Sequence, residues 1–448
     1  MLAEHIDGRI SEEQFGFRRG RGCSDAVHTM RMIVEKSAEW GEELWVATLD
    51  VAKAFDTVTH AALFDALIDN DVEVSAVNAL RILYMDMQAY VSLPSGSFSR
   101  SFALQRGVRQ GDPLSPLLFI LVLDGALAEV SIVWRRRGYG TNIGQTTRGE
   151  RITHVAFADD QTLVARTWLS MQRMVLSLQV ALEKRGLLLH PTKCQIQTNL
   201  ASFNKRGDIT ISPGFSVRVL EHEQSLSLLG TSLALEDVTG QEIVSRISAG
   251  WRTFWSLKSL LLNSGVSLRK RLQLFDRTVG SCVTWCSESW ALRDTEARKL
   301  QAAQRAMLRR IAAVSRKSGE SWVDWIRRAT AKAVRFSTGA GVREWVLYHY
   351  QRRWDWLGHV SRRPPSALTW RTQSWRDNAW CRMVEDMGLQ RPLRPSRRRW
   401  MKLEDPIRRF CIEQGIVTWE EVASDRDAWS EMKQTFAYWA KWGKPLEE

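Results

Sequence analysis

The run HVAFADDQTLV, from His154 to Val164, sets two adjacent aspartates, Asp159 and Asp160, between apolar stretches. That pattern predicts a β-hairpin with a pair of carboxylates on its tight turn. Side chains alternate along a strand, so Val155 and Phe157 point one way and Ala156 and Ala158 the other. Two neighbouring anions repel each other and are costly to bury unless a cation holds them. A hard divalent ion such as Mg²⁺ suits carboxylate oxygens. Taken alone, the run also reads as an ordinary Asp-Asp turn.

A second apolar run, LWVATLDVAKAFDTV (Leu44 to Val58), reads as a buried strand with Asp50 at its C-terminal end and a helix opening near Ala52. Three carboxylates from these two runs could converge on two metal ions. Ions about 3.5–4 Å apart stabilise both the attacking and the leaving oxygen of phosphoryl transfer. Asp50 by itself would also serve as a helix N-cap. Asp56 fits a cap or a salt bridge, since the helix turns it away from Asp50. Gln110 lies between Arg109 and Gly111 in a turn closed by Pro113, where glycine lets the backbone approach a ligand closely.

The elements that must position these groups are legible too. Residues Ala61 to Tyr90 show helical spacing, with Leu63, Leu67, Leu80, Leu83 and Tyr84. Val91 to Gly107 alternates around a Pro-Ser-Gly turn and predicts a hairpin. Pro116 opens an apolar helix. Its uncharged run, Leu117 to Leu123, is too short to span a bilayer, and Asp124 follows. Met171 to Leu187 predicts another helix. Strands and helices in this order predict an α+β domain rich in βαβ units.

Composition divides the chain. It carries 63 basic and 50 acidic residues, a net charge of +13. Residues 241–448 hold 39 basic and 22 acidic residues, net +17, against −4 for residues 1–240. Seventeen of the 21 tryptophans also follow residue 240. A basic, aromatic, helix-patterned region suits backbone tracking and base stacking on nucleic acid. Most of the tryptophans are expected to fill a helical core, so the charge is the better nucleic-acid signal. Pro364-Pro365 and Arg391 to Arg399 read as linkers, and Trp419 to Trp442 as an amphipathic helix pair. Six cysteines and no signal-peptide pattern predict a reducing, intracellular compartment, nuclear and/or cytoplasmic, without a membrane. The triplets Arg135 to Arg137 and Arg397 to Arg399 are weak nuclear-import signals. Cys282 and Cys286, four apart on a predicted helix face, could form half a zinc site. His349, His359 and Cys381 are not at zinc-knuckle spacing from them, so buried thiols are the default reading.

Six segments in order carry a family resemblance. QFGFRRGRGCSDAV (Gln14 to Val27) resembles a polymerase fingers motif. Leu44 to Val58 resembles motif A, and QRGVRQGDPLSPLLFILVLD (Gln105 to Asp124) resembles motif B. The FADD run (Phe157 to Asp160) resembles motif C, GLLLHPTKCQIQ (Gly186 to Gln197) motif D, and LSLLGTSLA (Leu226 to Ala234) motif E. Together they resemble the reverse transcriptase of non-LTR, LINE-type retrotransposons. The resemblance implies catalysis by Asp50, Asp159 and Asp160. Those three residues and Val51 would bind two Mg²⁺ ions, with Mn²⁺ able to substitute. It places Val51, Phe55, Gln110, Gly111 and Lys193 at the dNTP. Phe55 would be the steric gate that rejects a ribose 2′-OH, and Lys193 would lie near the triphosphate. Arg18, Arg109, Arg305, Arg309 and Arg310 would contact nucleic acid.

The implied architecture is a right-hand polymerase with partial fingers (1–43), a palm (44–240), a helical thumb (241–330) and a basic, Trp-rich helical C-terminal region (331–448). The thumb assignment rests on VGSCVTWCSESWALR (Val279 to Arg293). Looser tail matches run from Arg352 to Arg363 and from Arg391 to Phe410. The expected partners are template RNA, a DNA primer or nicked target DNA, and dNTPs. Met1 starts almost on the fingers motif, so an N-terminal truncation is expected, with no room for an upstream endonuclease. No ribonuclease H pattern follows the thumb. Two other readings stay open. One is a catalytically inactive remnant that binds nucleic acid. The other is an RNA-dependent RNA polymerase, against which Phe55 speaks.

Overall fold

A computed structural model describes residues 2–443 other than 86, 95, 143–150, 204–206 and 375–402. The chain divides into two compact units, Met1–Gly230 with Pro365–Arg394, and Thr231–Pro364 with Pro395–Glu448. The break between the units falls at Gly230. The helix Leu368–Ser374 belongs with the first unit, not with the C-terminal region. It packs on Cys23–Trp40, and the buried Thr369 hydroxyl donates to Asp25 Oδ1 at 3.2 Å. The expected Arg391 to Arg399 linker and Cys381 lie outside the described residues.

The first unit is built on a six-stranded sheet. Its strands are β1 (Trp45–Leu49), β2 (His154–Phe157), β3 (Asp160–Ala165), β4 (Gln195–Thr198), β5 (Gly207–Ser212) and β6 (Phe215–Val219), in the spatial order β5-β6-β4-β1-β3-β2. Neighbours pair antiparallel except β4 with β6. Strands and helices alternate along the chain as the sequence predicts, and the βαβ units are split ones. With helices α1 (Ser115–Arg136) and α2 (Trp168–Glu183), β1–α1–β2 and β3–α2–β4 each join parallel strands with an antiparallel strand between them. Alternation puts Trp45, Ala47 and Leu49 on one face of β1. They join Leu163, Ala165, Ile196, α1 and α2 in the core. Thr48 and Asp50 lie on the other face.

Helix α1 starts with Pro116 in its first turn. Among the described residues it is the one helix long and apolar enough to cross a membrane, and 67% of its apolar window is buried. The apolar stretch is therefore longer than Leu117 to Leu123. Asp124 does not interrupt it, because its carboxylate accepts from the Ser11 backbone N–H and hydroxyl. The expected helix from Ala61 to Tyr90 is two helices, His60–Asp69 and Val74–Tyr84. Asp71 breaks it at a left-handed φ of 54°. Leu83, expected on the apolar face, is exposed.

The second unit is helical in its described residues apart from the strand Thr231–Leu233. Its main helices are α3 (Val238–Ser256), α4 (Asp294–Ala312), α5 (Trp322–Gly339), α6 (Trp345–Ser361) and α7 (Arg426–Trp442). Trp290, Trp345, Trp354, Trp419 and Trp429 are buried in one cluster, as the core reading of the tryptophans expects. Trp354 and Trp429 stack at 3.8 Å between centroids and 11° between planes. Each indole N–H donates to the other residue's carbonyl, at 2.6 and 2.9 Å. Cys282 and Cys286 do not share a helix face. The helix ends at Val283, and Cys286 has a left-handed φ of 50°.

Candidate active site

Register delivers the three aspartates to one edge of the sheet. The last β1–β3 pair is Leu49 with Gln161. One step further, the same register sets Asp50 level with Asp160. A one-residue slip would turn every side chain of β1 to the opposite face, and the buried Trp45, Ala47 and Leu49 oppose it. Phe157 pairs with Asp160 across the hairpin, which leaves Ala158 and Asp159 as a two-residue turn. Ala158 adopts φ 54°, the sense that a tight hairpin turn needs. For a residue with a Cβ, that conformation costs about 1–2 kcal/mol. Surrounding contacts must therefore hold it.

The carboxylates sense one another. Partial desolvation, then the charges of Asp159 and Asp50, push Asp160 up to about 6. Desolvation also raises Asp159, with Asp50 adding to the rise and the Lys193 ammonium opposing it. Both shifts are led by desolvation, with like charge adding to it, and a bound cation would oppose both. The donor set, all carboxylate oxygen, fits a hard divalent ion. Among the described residues no three His, Cys, Asp or Glu side chains are drawn together tightly enough to enclose a metal.

The segment resembling motif D is tied to the same edge. Val51–Ala52 pairs antiparallel with Leu188–Leu189, and the His190 N–H donates to the Asp50 carbonyl at 2.7 Å. From this loop Lys193 reaches Asp50, Nζ to Oδ2 at 3.4 Å. Asp50, Asp160, Thr48, Thr162, Lys193 and Ser227 line an open cavity of about 330 Å³. Val51 buries its side chain in the core, so only its backbone carbonyl could serve a metal or a nucleotide.

A second recess, of about 200 Å³, is lined by Phe55, Arg109, Gln110, Gly111, Asp112, Ser115 and Pro116. The loop before α1 is docked by backbone bonds. Gly107 N–H donates to Val58 O, and Val108 N–H donates to Phe55 O, both at 2.8 Å. Gly107 has φ 86°, and a Cβ there would stand 2.9 Å from the carbonyls of Phe55 and Asp56. Phe55 stacks on Phe119 at 4.6 Å and meets the edge of Phe17 at 6.4 Å. Its ring is held as a wall of the recess. Gln110 Nε2 donates to Asp56 Oδ1 at 3.1 Å, a partner for Asp56 that its cap-or-salt-bridge reading did not anticipate.

The five arginines have different fates. Arg18 was expected at nucleic acid, but its side chain is only 6% exposed. It donates to Asp7 Oδ1 and to the carbonyls of Asp7, Ser11 and Gln14. It is a tie within the N-terminal segment. Arg109 is exposed and donates to Leu83 O. Arg309 donates to the Thr330 hydroxyl, and Arg310 lies over the Trp251 and Trp255 rings. Arg305 is exposed.

Sequence reasoning missed Gln14 as part of this site. It is fully buried, and its carboxamide bonds the hairpin turn. Its place one residue before an aromatic-glycine pair in the fingers motif was the available signal. Ser227 and Leu228, from the segment resembling motif E, also line the larger cavity.

With this geometry in place, the comparisons with known proteins are decisive for family. The model of the reverse transcriptase (RNA-dependent DNA polymerase) family matches residues 1–233, just over half of the chain. The chain belongs to this family. Among its relatives is the retrovirus-related Pol polyprotein of the type-1 retrotransposable element R2 of Nasonia vitripennis. It is 31% identical over 193 residues, 43% of this chain and 18% of the relative. The corresponding polyprotein of the type-2 element R2DM of Drosophila melanogaster is 32% identical over 197 residues, again 43% and 18%. One from element R2 of Popillia japonica is 34% identical over 195 residues, 43% and 26%. The match thus spans about a fifth to a quarter of these relatives' length. The telomerase of Candida albicans, solved in complex with a TWJ fragment of telomeric RNA, aligns over 73% of this chain and 57% of its own. Its TM-score is 0.39 and its identity 14%. The sequence resemblance to LINE-type reverse transcriptases is thus borne out at the level of the family, and the α+β fold agrees with it.

Proposed function

We propose that this reverse transcriptase chain extends a DNA primer, or the 3′ end of nicked target DNA, on an RNA template. The observation that carries the reading is the convergence of Asp50 with Asp159 and Asp160 at one sheet edge, with Lys193 on Asp50. Asp50 and Asp159, with the Val51 carbonyl, are the residues that would hold two Mg²⁺ ions, with Asp160 beside them. Bound there, Mg²⁺ or Mn²⁺ would activate the primer 3′-hydroxyl and neutralise charge on the triphosphate. The 3′-oxygen bonds to the dNTP α-phosphorus as its bond to pyrophosphate breaks. Lys193, exposed and paired with Asp50, would give a proton to the leaving pyrophosphate. Phe55 walls the recess that would take the sugar, where its ring excludes a 2′-hydroxyl. Gln110 and Gly111 face the same recess and would contact the nucleotide. Arg109, Arg305, Arg309 and Arg310 remain proposed nucleic-acid contacts, the last two after exchange of their present partners. Such a reaction takes place where nucleic acid is, in the nucleus or cytoplasm.

A second reading is binding of nucleic acid without synthesis. What favours it is the net charge of +17 on residues 241–448, which could supply binding by itself. Primer extension with an RNA template, a DNA primer, dNTPs and Mg²⁺ separates the two. Extension by the parent and none by Asp159→Asn supports polymerisation. Primer–template binding with no extension by either supports the binding-only reading. A preference for rNTPs would overturn both Phe55 as gate and DNA synthesis as the activity.

A further inference from the structure

The N-terminal segment lies along the outer edge of the hairpin that bears Asp159 and Asp160. Ala156 N–H donates to Glu13 O, and Phe15 N–H donates to Ala156 O, both at 2.8 Å. Gln14 therefore bridges to Ala156 in parallel, as one step of an added strand. Its side chain goes further. Gln14 Oε1 accepts from the Ala158 N–H at 3.0 Å and from the Gly16 N–H at 2.8 Å. Gln14 Nε2 donates to the Ala158 carbonyl at 3.4 Å, and Gln161 Nε2 donates to the same oxygen at 2.9 Å. Both Gln14 and Gln161 are buried.

Ala158 is the left-handed residue of the turn and immediately precedes Asp159. One carboxamide satisfies both its N–H and its C=O, as a neighbouring strand would. A buried backbone group left without a partner is unfavourable, so relaxation of the turn away from this conformation would forfeit both bonds. Gly16 closes the clamp. A Cβ on it would stand 2.2 Å from the Ala158 nitrogen. That is closer than atoms can approach, so only glycine lets the segment lie against the turn.

Given primer extension as the activity, we infer that Gln14, with Gly16, is a positioning residue that fixes the hairpin turn and thereby the place of the Asp159 and Asp160 carboxylates. Its effect passes through the Ala158 backbone, one peptide bond from Asp159 and two from Asp160. Misplacement of a reacting group by about 1 Å can lower a rate by about 100-fold.

The test uses the full chain and Gln14→Met, which keeps the length of the side chain and removes both hydrogen-bonding groups. The kcat for single-nucleotide incorporation should fall by about 10- to 100-fold, with primer–template affinity unchanged. The Mg²⁺ concentration for half-maximal rate should rise. In the metal-free protein, amide exchange across residues 154–162 should accelerate. Gly16→Ala should act in the same direction. Leu178→Ala, a core cavity in α2 away from the turn, is the control for stability alone. Unchanged amide exchange in Gln14→Met overturns the clamp. Accelerated exchange with an unchanged kcat and Mg²⁺ dependence overturns its catalytic consequence. A loss of kcat no larger than that of an equally destabilised Leu178→Ala reduces Gln14 to a structural residue and also overturns it. If the parent protein itself extends no primer, the polymerase reading fails, while the exchange measurement still decides whether the clamp exists.

Discussion

Gln14 and Trp354 are both fully buried, and both hydrogen-bond to backbone, but to opposite ends. In the sheet unit, Gln14 reaches a strained turn that must present two carboxylates outward. In the helical unit, Trp354 and Trp429 bond each other's carbonyls and so close an aromatic core on itself. A polar handle inside apolar surroundings has to find a partner in either case. In the first unit the partner is the backbone of the site. In the second it is another core residue. The sheet unit places clustered carboxylates and a left-handed alanine at the candidate site. The helical unit shows a core built for stability. The two units should therefore fail differently when broken.

The largest contrast is expected from Asp159→Asn. Incorporation should fall by about 10³-fold or more, while melting temperature and primer–template affinity stay near the parent's. Retained synthesis would remove Asp159 from the catalytic set. Trp354→Ala should do the reverse, destabilising by about 3–5 kcal/mol as read by denaturant unfolding. Its residual folded fraction should extend primers at a parent-like rate. A specific loss of rate at full stability would give the aromatic core a role in the site. Phe55→Val sits between these. It should narrow the dNTP-over-rNTP ratio of kcat/KM by about 10- to 100-fold with little change in stability, since Phe119 and Phe17 keep the recess walled. An unchanged ratio would make Phe55 a packing residue only.

The smallest effect concerns pH. Asp160 is raised to about 6, first by desolvation and then by Asp159 and Asp50. A carboxyl whose folded value lies above its unfolded value binds a proton more tightly when folded. Its contribution to metal-free stability therefore increases as pH falls from about 6 toward the ordinary carboxylate range. Mg²⁺ must displace that proton, so apparent Mg²⁺ affinity should fall over the same window, by up to about tenfold per pH unit. Loss of incorporation below pH 6 without unfolding is the expected signature. Asp160→Asn should flatten the Mg²⁺ profile. A profile of the variant that parallels the parent's would assign the titration elsewhere.

Much of this protein was legible in the residues alone. The alternation around Asp159 and Asp160 predicted a hairpin, the apolar run before Asp50 predicted a strand, and Pro116 marked a helix start. Local patterns of this kind depend on a side-chain period and on one covalent neighbourhood, so sequence carries them. The concentration of tryptophan after residue 240 likewise announced a core. What tertiary structure decided was which distant groups meet. Antiparallel pairing of β1 with β3 sets Asp50 against Asp160, and the return of the Lys193 loop sets an ammonium on Asp50. Helix Leu368–Ser374 leaves the C-terminal region to pack on Cys23–Trp40. Arg18, a basic residue in a basic motif, turns inward because Asp7 and three carbonyls surround it. Gln14 carries no charge and follows no periodicity, so only its place before an aromatic-glycine pair distinguishes it from a surface amide. Its role exists only because a turn more than a hundred residues away is left-handed at Ala158 and needs partners for both of its backbone groups. Period and propensity act over a few residues and can be read in one dimension. Register, the partnering of buried polar groups and the steric closeness that demands a glycine are relations between segments, and the folded chain alone fixes them.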